Sequence, residues 1–401
     1  MITDPLALAA LICGVTGLGF WLEDRFLWAR SVGASLLIIF FGAVLSNLDL
    51  VAAESPVYGV VSGPVTSLAI VWLLLAVDLR ELKAAGPRML LAFAVAVLAT
   101  CVGAVSAAAA LGHAFPDDGW RLAGVMTGTY AGGGLNFVAV GREVGLTDSL
   151  FVAATASDNV MTAIWIGATL MLPLWLRRFY PERKRSKSEP TEALTPTLVP
   201  GAPSRNGRGR PLPSPGDRST EPANPFLAHV LLKPVDFLAL LALGFGLILA
   251  ADALGDILGG PSVLWLTTLA LIAAQVPVVR TLSGSMQLGL IALNLFFVVI
   301  GIGSRIAEIL KVGIEIFYFT ALVVIVHGIL TYGLCRLLKL DIETTSVASQ
   351  AAVGGPSTAI ALAAARGWRE LALPGALVGL LGYAVGNYAG LAIAAWVRSW
   401  G

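Results

Sequence analysis

The chain is a succession of apolar runs, each close to the ~20 residues that cross a hydrocarbon core as a helix. The first half offers runs near 5–22, 31–50, 63–79, 88–111, 120–141 and 148–176. The second half offers runs near 232–251, 262–280, 284–303, 312–337, 344–365 and 371–397. Backbone polar groups find no water in lipid, so such segments cross as helices with their hydrogen bonds made internally. Of 401 residues, 57% are hydrophobic and 13% charged, more apolar surface than a soluble core could hide. The expected fold is an all-α polytopic membrane protein with the lipid bilayer as its first partner. The net charge of +1 identifies no partner, and no nucleic-acid motif is present.

Cys13, Cys101 and Cys335 lie singly in or beside apolar runs and read as small core residues, not as a disulfide or metal framework. The opening "MITDPLALAALICGVTGLGFWLEDR" has no basic n-region and reads as a first spanning helix.

Composition changes sharply after residue 176. The segment 177–230 is rich in Pro, Ser and Arg and reads as a disordered linker between a first membrane repeat, 1–176, and a second, 231–401. The repeats share a register. A shift of 222 places Gly132 and Gly133 on Gly354 and Gly355, Gly145 on Gly367, and Asp148 on Glu370.

Charge bias sets the expected geometry, because Lys and Arg collect on the cytoplasmic side. The linker, with Arg183, Lys184, Arg185 and Lys187, is expected there. If all six runs of the first half crossed, Arg25, Arg30, Arg80, Lys83 and Arg88 would face outside. If the Gly-rich run near 127–146 enters and returns, five spans remain and these residues become cytoplasmic. The second half follows less strongly, with Arg280, Arg336, Lys339, Arg366 and Arg369 inside but Arg305, Lys311 and Arg398 outside. Odd span numbers around one linker make the repeats inverted and put both chain ends outside. Inverted repeats with interrupted helices are an architecture of secondary transporters.

The run "TGTYAGGGLNFVAVGREVGL" supplies the interruption. Gly132, Gly133 and Gly134 each cost a helix about 1 kcal/mol, and Asn136 is costly in hydrocarbon without a partner. Arms over 120–131 and 135–146 would each run about 18 Å, to roughly mid-bilayer. The glycines then form a hairpin tip, preceded by Thr129 and Tyr130, whose free backbone groups can hold an ion or anionic group. The second tip contains Gly354, Gly355, Pro356, Ser357 and Thr358, with Ser349 and Gln350 leading into it.

Asp158 is the main intramembrane acid, ten residues into the run "LFVAATASDNVMTAIW" between Ser157 and Asn159. A carboxylate at such depth costs roughly 2.5–3.5 kcal/mol on insertion scales. The three residues predict a site for sodium or a carried proton, and no other cofactor is expected. Asn387 is expected to occupy a related neutral position in the second half. His327 reads as a satisfied structural histidine, and Glu315 as a helix-end acid that reaches the interface. Trp165, Trp175, Trp396 and Trp400 read as belt or packing residues.

The motifs "TYAGGGLNFVAV", "ASDNVMTAIW", "GGPSTAIALAAARGW" and "LPGALVGLLGYAVGNY" resemble the DUF819 family of bacterial membrane proteins, over essentially the whole chain except the linker. That resemblance implies a multi-pass protein of the bacterial cytoplasmic membrane. More loosely, the two tips are similar to the re-entrant segments of sodium–glutamate symporters and 2-hydroxycarboxylate transporters. This implies inverted five-helix repeats, two hairpins, sodium coupling to an organic anion and a homodimer. The Asp-Asn pair is similar to the paired polar residues of sodium–proton antiporters and bile-acid symporters.

Three functions follow as expectations. The first is a secondary active transporter, coupled to Na⁺ or H⁺ at Asp158, moving a small organic anion or amphoteric metabolite held between the tips. The second is a cation–proton antiporter. The third, an intramembrane enzyme, would need a second acid, a Ser/His set or a metal set at Asp158, and no motif of that kind is found.

Overall fold

The computed structural model describes residues 1–26, 28–29, 33–181, 232–303 and 306–400. Arg30, Arg305 and most of the expected linker, with its basic cluster, lie outside the described residues.

The described first half comprises α1 (Pro5–Arg25), α2 (Ala34–Asn47), α3 (Pro56–Leu74), α4 (Leu82–Leu111), a pair α5 (Gly119–Gly132) and α6 (Gly134–Glu143), and α7 (Asp148–Leu176). The second comprises α8 (Pro234–Leu258), α9 (Ser262–Ala274), the single turn α10 (Pro277–Arg280), α11 (Ser285–Gly303), α12 (Ile306–Leu337), α13 (Ile342–Ala365) and α14 (Arg369–Arg398). Eight of these are long and apolar enough to cross a membrane, and α2 and α9 are shorter apolar helices. The protein is an all-α polytopic membrane protein. α8 shows why: it is nearly all apolar, yet buries only Leu240, Gly244 and Ala251. The remaining apolar face requires lipid.

Two elements differ from the sequence expectation. The span expected to start at 63 starts at Pro56, on the N-cap Ser55, and carries a π-helical turn over Val61–Val65. Gly63 is non-helical there (φ −89°, ψ −105°), because Pro64 has no N–H for the ladder. Residues 177–181 also do not belong to a loose linker. Arg177–Phe179 form a 3₁₀ turn that extends α7, and the Tyr180 hydroxyl donates to the Tyr332 carbonyl of α12.

Both Gly-rich runs turn back. In the first, Arg121 Nε of α5 donates to the Val144 carbonyl just past α6 (2.9 Å), and Gly128 lies against Asn136 and Val140. In the second, Thr358 Oγ1 reaches the Gln350 carbonyl (3.3 Å), and Gly375 of α14 packs against both Val347 and Ala359. α13 is therefore a hairpin hinged at Gly355. The two tip glycines share a backbone conformation that is essentially glycine-only: Gly133 at φ +93°, ψ −177° and Gly355 at φ +76°, ψ −170°. Gly145 and Gly367, also 222 apart, both have positive φ, +67° and +71°.

The hairpin bases lie at opposite ends of α4 and α14. One cavity joins Asp117 and Gly119 to Gly112, past the end of α4, and to Arg398, at the end of α14. Another joins Asp341 and Thr344 to Gly86–Met89, in the first turns of α4, and to Glu370, at the start of α14.

Packing divides the helices into two bundles. α4 to α7 and α12 to α14 pack densely on one another, as α1 to α3 do with α8, α9 and α11; contacts between the sets are sparse and run mainly through α7, α9 and α11. Each bundle takes elements from both halves of the chain.

Candidate functional site

The site is built where the hairpins meet. A Cβ placed on Gly133 would sit 3.6 Å from the Gly355 Cα and 3.7 Å from the ring of Tyr383 on α14. The tips touch, which fills the space the sequence suggested for a ligand between them. Their open sides are Gly134, with nothing within 4 Å of its Cβ position, and Ser357; both are exposed although the arm leading to Gly134 is about 20 Å long. Pro356 is buried against Gly379 of α14, while Gly354 and Thr358 are partly covered.

α14 approaches hairpin 1 through small residues. A Cβ on Gly132 would overlap the carbonyl oxygen of Gly382, so only glycine fits. Asn136 crosses the same contact, its Nδ2 donating to that carbonyl at 2.9 Å. Its Oδ1 is buried without a partner. Thr358, at the register-related position in hairpin 2, turns back to the Gly355 carbonyl at 3.1 Å.

Asp158 enters from α7. It is half-buried, its Oδ1 is reached by Thr162 Oγ1 at 3.4 Å, and the Tyr130 hydroxyl faces it without completing a hydrogen bond. Buried polar atoms are ordinarily paired. Along the two hairpins and beside Asp158, Thr129 Oγ1, Tyr130 Oη, Asn136 Oδ1, Ser157 Oγ and Gln350 Nε2 have no hydrogen-bond partner among the described residues. All but the Gln350 nitrogen are oxygens, the donor type that hard monovalent and divalent cations take. Asn159 is less available, since its amide donates to the Thr155 carbonyl at 2.9 Å. Among the described residues no group of three or more His, Cys, Asp or Glu side chains gathers as a metal set.

A directed hydrogen-bond chain connects the hairpins. Trp165 Nε1 donates to Ser349 Oγ (3.2 Å), and Ser349 lies 2.9 Å from His327 Nε2. His327 Nδ1 is 3.1 Å from the Ala96 carbonyl and 2.9 Å from Thr100 Oγ1. A carbonyl only accepts, so Nδ1 carries the proton and Nε2 accepts from Ser349. Thr100 then donates to the Tyr130 carbonyl at 2.9 Å. Alongside, Thr169 donates to Gln350 Oε1 at 2.9 Å. His327 is thus a satisfied structural residue that ties hairpin 2 to the backbone beside Asp158.

Other candidates fall elsewhere. Asn387 Nδ2 donates to Thr267 of α9 at 2.9 Å, so the structure places this side chain in the bundle interface rather than at the tips. The one-residue offset from Gly386, which does touch Asn136, turns it about 100° away. Glu315 is not at a helix end. α12 begins at Ile306, so the acid lies in its third turn, and its Oε2 is buried without a partner. Trp165 packs edge-on to His327, whereas Trp175, Trp396 and Trp400 are exposed near helix ends, where amphipathic rings suit the membrane interface.

The sequence reading missed Arg142 and Glu143. They end α6 and line a cavity of about 210 Å³ with Ser67, Asp252 and Ser262. Charged residues at the end of an apolar run look like an ordinary interface, and only the fold brings α3, α8 and α9 against them.

The chain is similar to an uncharacterized membrane protein, YjcL, of Bacillus subtilis (strain 168), with 30% identity over 394 residues covering 94% of this chain and 93% of the relative. The profile of DUF819, described as a protein of unknown function, matches residues 10–198 and 233–400, which include both hairpins, Asp158 and the cavity-lining residues. The chain belongs to the DUF819 family of membrane proteins.

Proposed function

We propose that this protein is a secondary active transporter, coupled to sodium or protons through Asp158, that moves a small organic anion or amphoteric metabolite by alternating access. One observation carries the reading. A half-buried carboxylate ten residues into a spanning helix faces a hairpin tip around which oxygen-bearing side chains are buried without partners. Unpaired oxygens in hydrocarbon cost several kcal/mol each unless a cation or water meets them.

The two-bundle packing supports the motion such a protein needs. Sparse contacts between bundles let one move against the other, while both tips stay with the tightly packed one. Hairpin bases at opposite ends of α4 support an inverted relation of the halves. Arg25, Arg80, Lys83, Arg88, Arg177, Arg280, Arg336, Lys339 and Arg366 belong to one end, and Arg121, Arg142 and Arg398 to the other. By charge bias the first end faces the cytoplasm, with the linker, and both termini face outside.

The test uses proteoliposomes carrying an internal pH dye and an imposed sodium gradient, with labelled metabolites outside. Gradient-driven accumulation that is lost in Asp158→Asn supports the reading. Proton movement driven by sodium alone, with no metabolite accumulated, replaces it with a cation–proton antiporter. The same carboxylate serves that second reading; the cavity between the bundles favours the first.

A further inference from the structure

The cavity lined by Arg142 lies outside the tip site. Its walls come from both bundles: α6 on one side, and α3, α8 and α9 on the other. We infer that it binds the carried substrate, and that this substrate is a small zwitterion, an α-amino acid with a compact apolar side chain. The inference rests on the transport reading above and names its substrate class.

Charge of both signs is present and only partly used. Arg142 Nη1 makes one long bond, 3.4 Å, to the Gly63 carbonyl, and among the described residues the other guanidinium donors have no hydrogen-bond partner. Glu143 is engaged, its carboxylate lying at the Val263 backbone N–H in the first turn of α9. Asp252 on α8 lines the cavity with an exposed carboxylate that has no partner among the described residues. A carboxylate suits Arg142, whose planar fork matches it in two-pronged geometry. An ammonium suits Asp252, helped by the hydroxyls of Ser67 and Ser262. A simple anion would leave Asp252 facing it unpaired, and a simple cation would leave Arg142.

Size and lining narrow the ligand further. At about 30 Å³ per water, the volume of about 210 Å³ takes a ligand of roughly seven to ten non-hydrogen atoms. The non-polar wall includes Ile70 and Leu266. The cavity also adjoins the π-helical turn of α3, whose Gly63 carbonyl holds Arg142. α11, the corresponding element of the second half, is unbroken. A π-helical interruption present in α3 and absent from α11 is the kind of feature that marks functional sites.

The test is ligand-induced stabilisation and calorimetric binding with L-valine, and with its two halves, isovalerate (carboxylate only) and isobutylamine (amine only). The full set of proteinogenic amino acids is screened in parallel. Compact apolar amino acids should bind saturably, and each half at least tenfold more weakly. Arg142→Gln and Asp252→Asn should each weaken L-valine binding at least tenfold. Ile70→Trp, which fills the cavity without touching a charge, should abolish it. The cation response is read in Asp158→Asn without amino acid, and L-valine binding in the wild type and the cavity variants at fixed saturating sodium, so failure of the cation reading and failure of this one are distinguishable. Monodisperse elution and an unchanged cation response show that the cavity variants fold. No amino acid binding to the wild type, equal binding of isovalerate alone, or undiminished binding in Arg142→Gln would each overturn the inference.

Discussion

Gly133 and Gly355, 222 residues apart in sequence, hold the same left-handed extended backbone and face each other across the contact of the two hairpin tips. Each is placed by its own half of the chain, and α14 closes over both. Tyr383 lies beside the two glycines, and Gly382 beneath hairpin 1.

That contact makes neighbouring glycines unequal. Gly132→Ala would drive a methyl group into the Gly382 carbonyl, and overpacking of this kind costs about 1–3 kcal/mol. Gly133→Ala would meet no overlap but would force a side chain into a glycine-only conformation, at about 1–3 kcal/mol. Gly134→Ala points into open space and should leave stability nearly unchanged. Thermal melting of the three purified variants should separate Gly132 and Gly133 from Gly134.

His327 provides a structural control for the ion site. His327→Ala removes the centre of the chain from Ser349 to Thr100 and leaves the buried Ser349 hydroxyl without its acceptor, at a cost of about 1–3 kcal/mol, while Thr100 keeps its bond to the Tyr130 carbonyl. The variant should melt earlier yet keep the cation response of the wild type. Loss of that response with melting unchanged would make His327 part of the ion site.

Much of this was legible in the sequence, for physical reasons. α7 and α14 keep close to their expected bounds because apolar length defines a span without reference to neighbours. The shift of 222 reappears in the dihedrals of Gly145 and Gly367, since positive φ is a local demand that glycine answers. What the sequence could not place depends on which helix meets which. Asn387 turns to Thr267 through a one-residue rotation on α14. Arg142 enters a cavity only because α3, α8 and α9 converge on α6. The kink at Gly63 and Pro64 was hidden because the preceding "VAAESPVYGVVS" carries turn residues and no basic charge, and so reads as a loop.

The opposite approach of the hairpins predicts a labelling pattern. In a background lacking Cys13, Cys101 and Cys335, Asp117→Cys lies at the base of hairpin 1 and Arg88→Cys beside the base of hairpin 2. An impermeant thiol reagent added to intact cells should modify Asp117→Cys alone. Arg88→Cys should react only after the membrane is opened. Modification of both from one side would contradict the opposed hairpins and the charge-based orientation together.

The central claim is that Asp158 and the unpaired oxygens around hairpin 1 form a cation site. The most direct measurement is the melting temperature of the purified protein across a panel of monovalent cations and pH values, with Asp158→Asn alongside. A ligand at a hundred times its dissociation constant stabilises by about 2.7 kcal/mol, which such a scan resolves. The account predicts saturable stabilisation by sodium, or a pH-dependent melting temperature if the proton is carried, and loss of that response in Asp158→Asn with the fold retained. A wild-type melting temperature indifferent to both, or an identical response in the mutant, would contradict it.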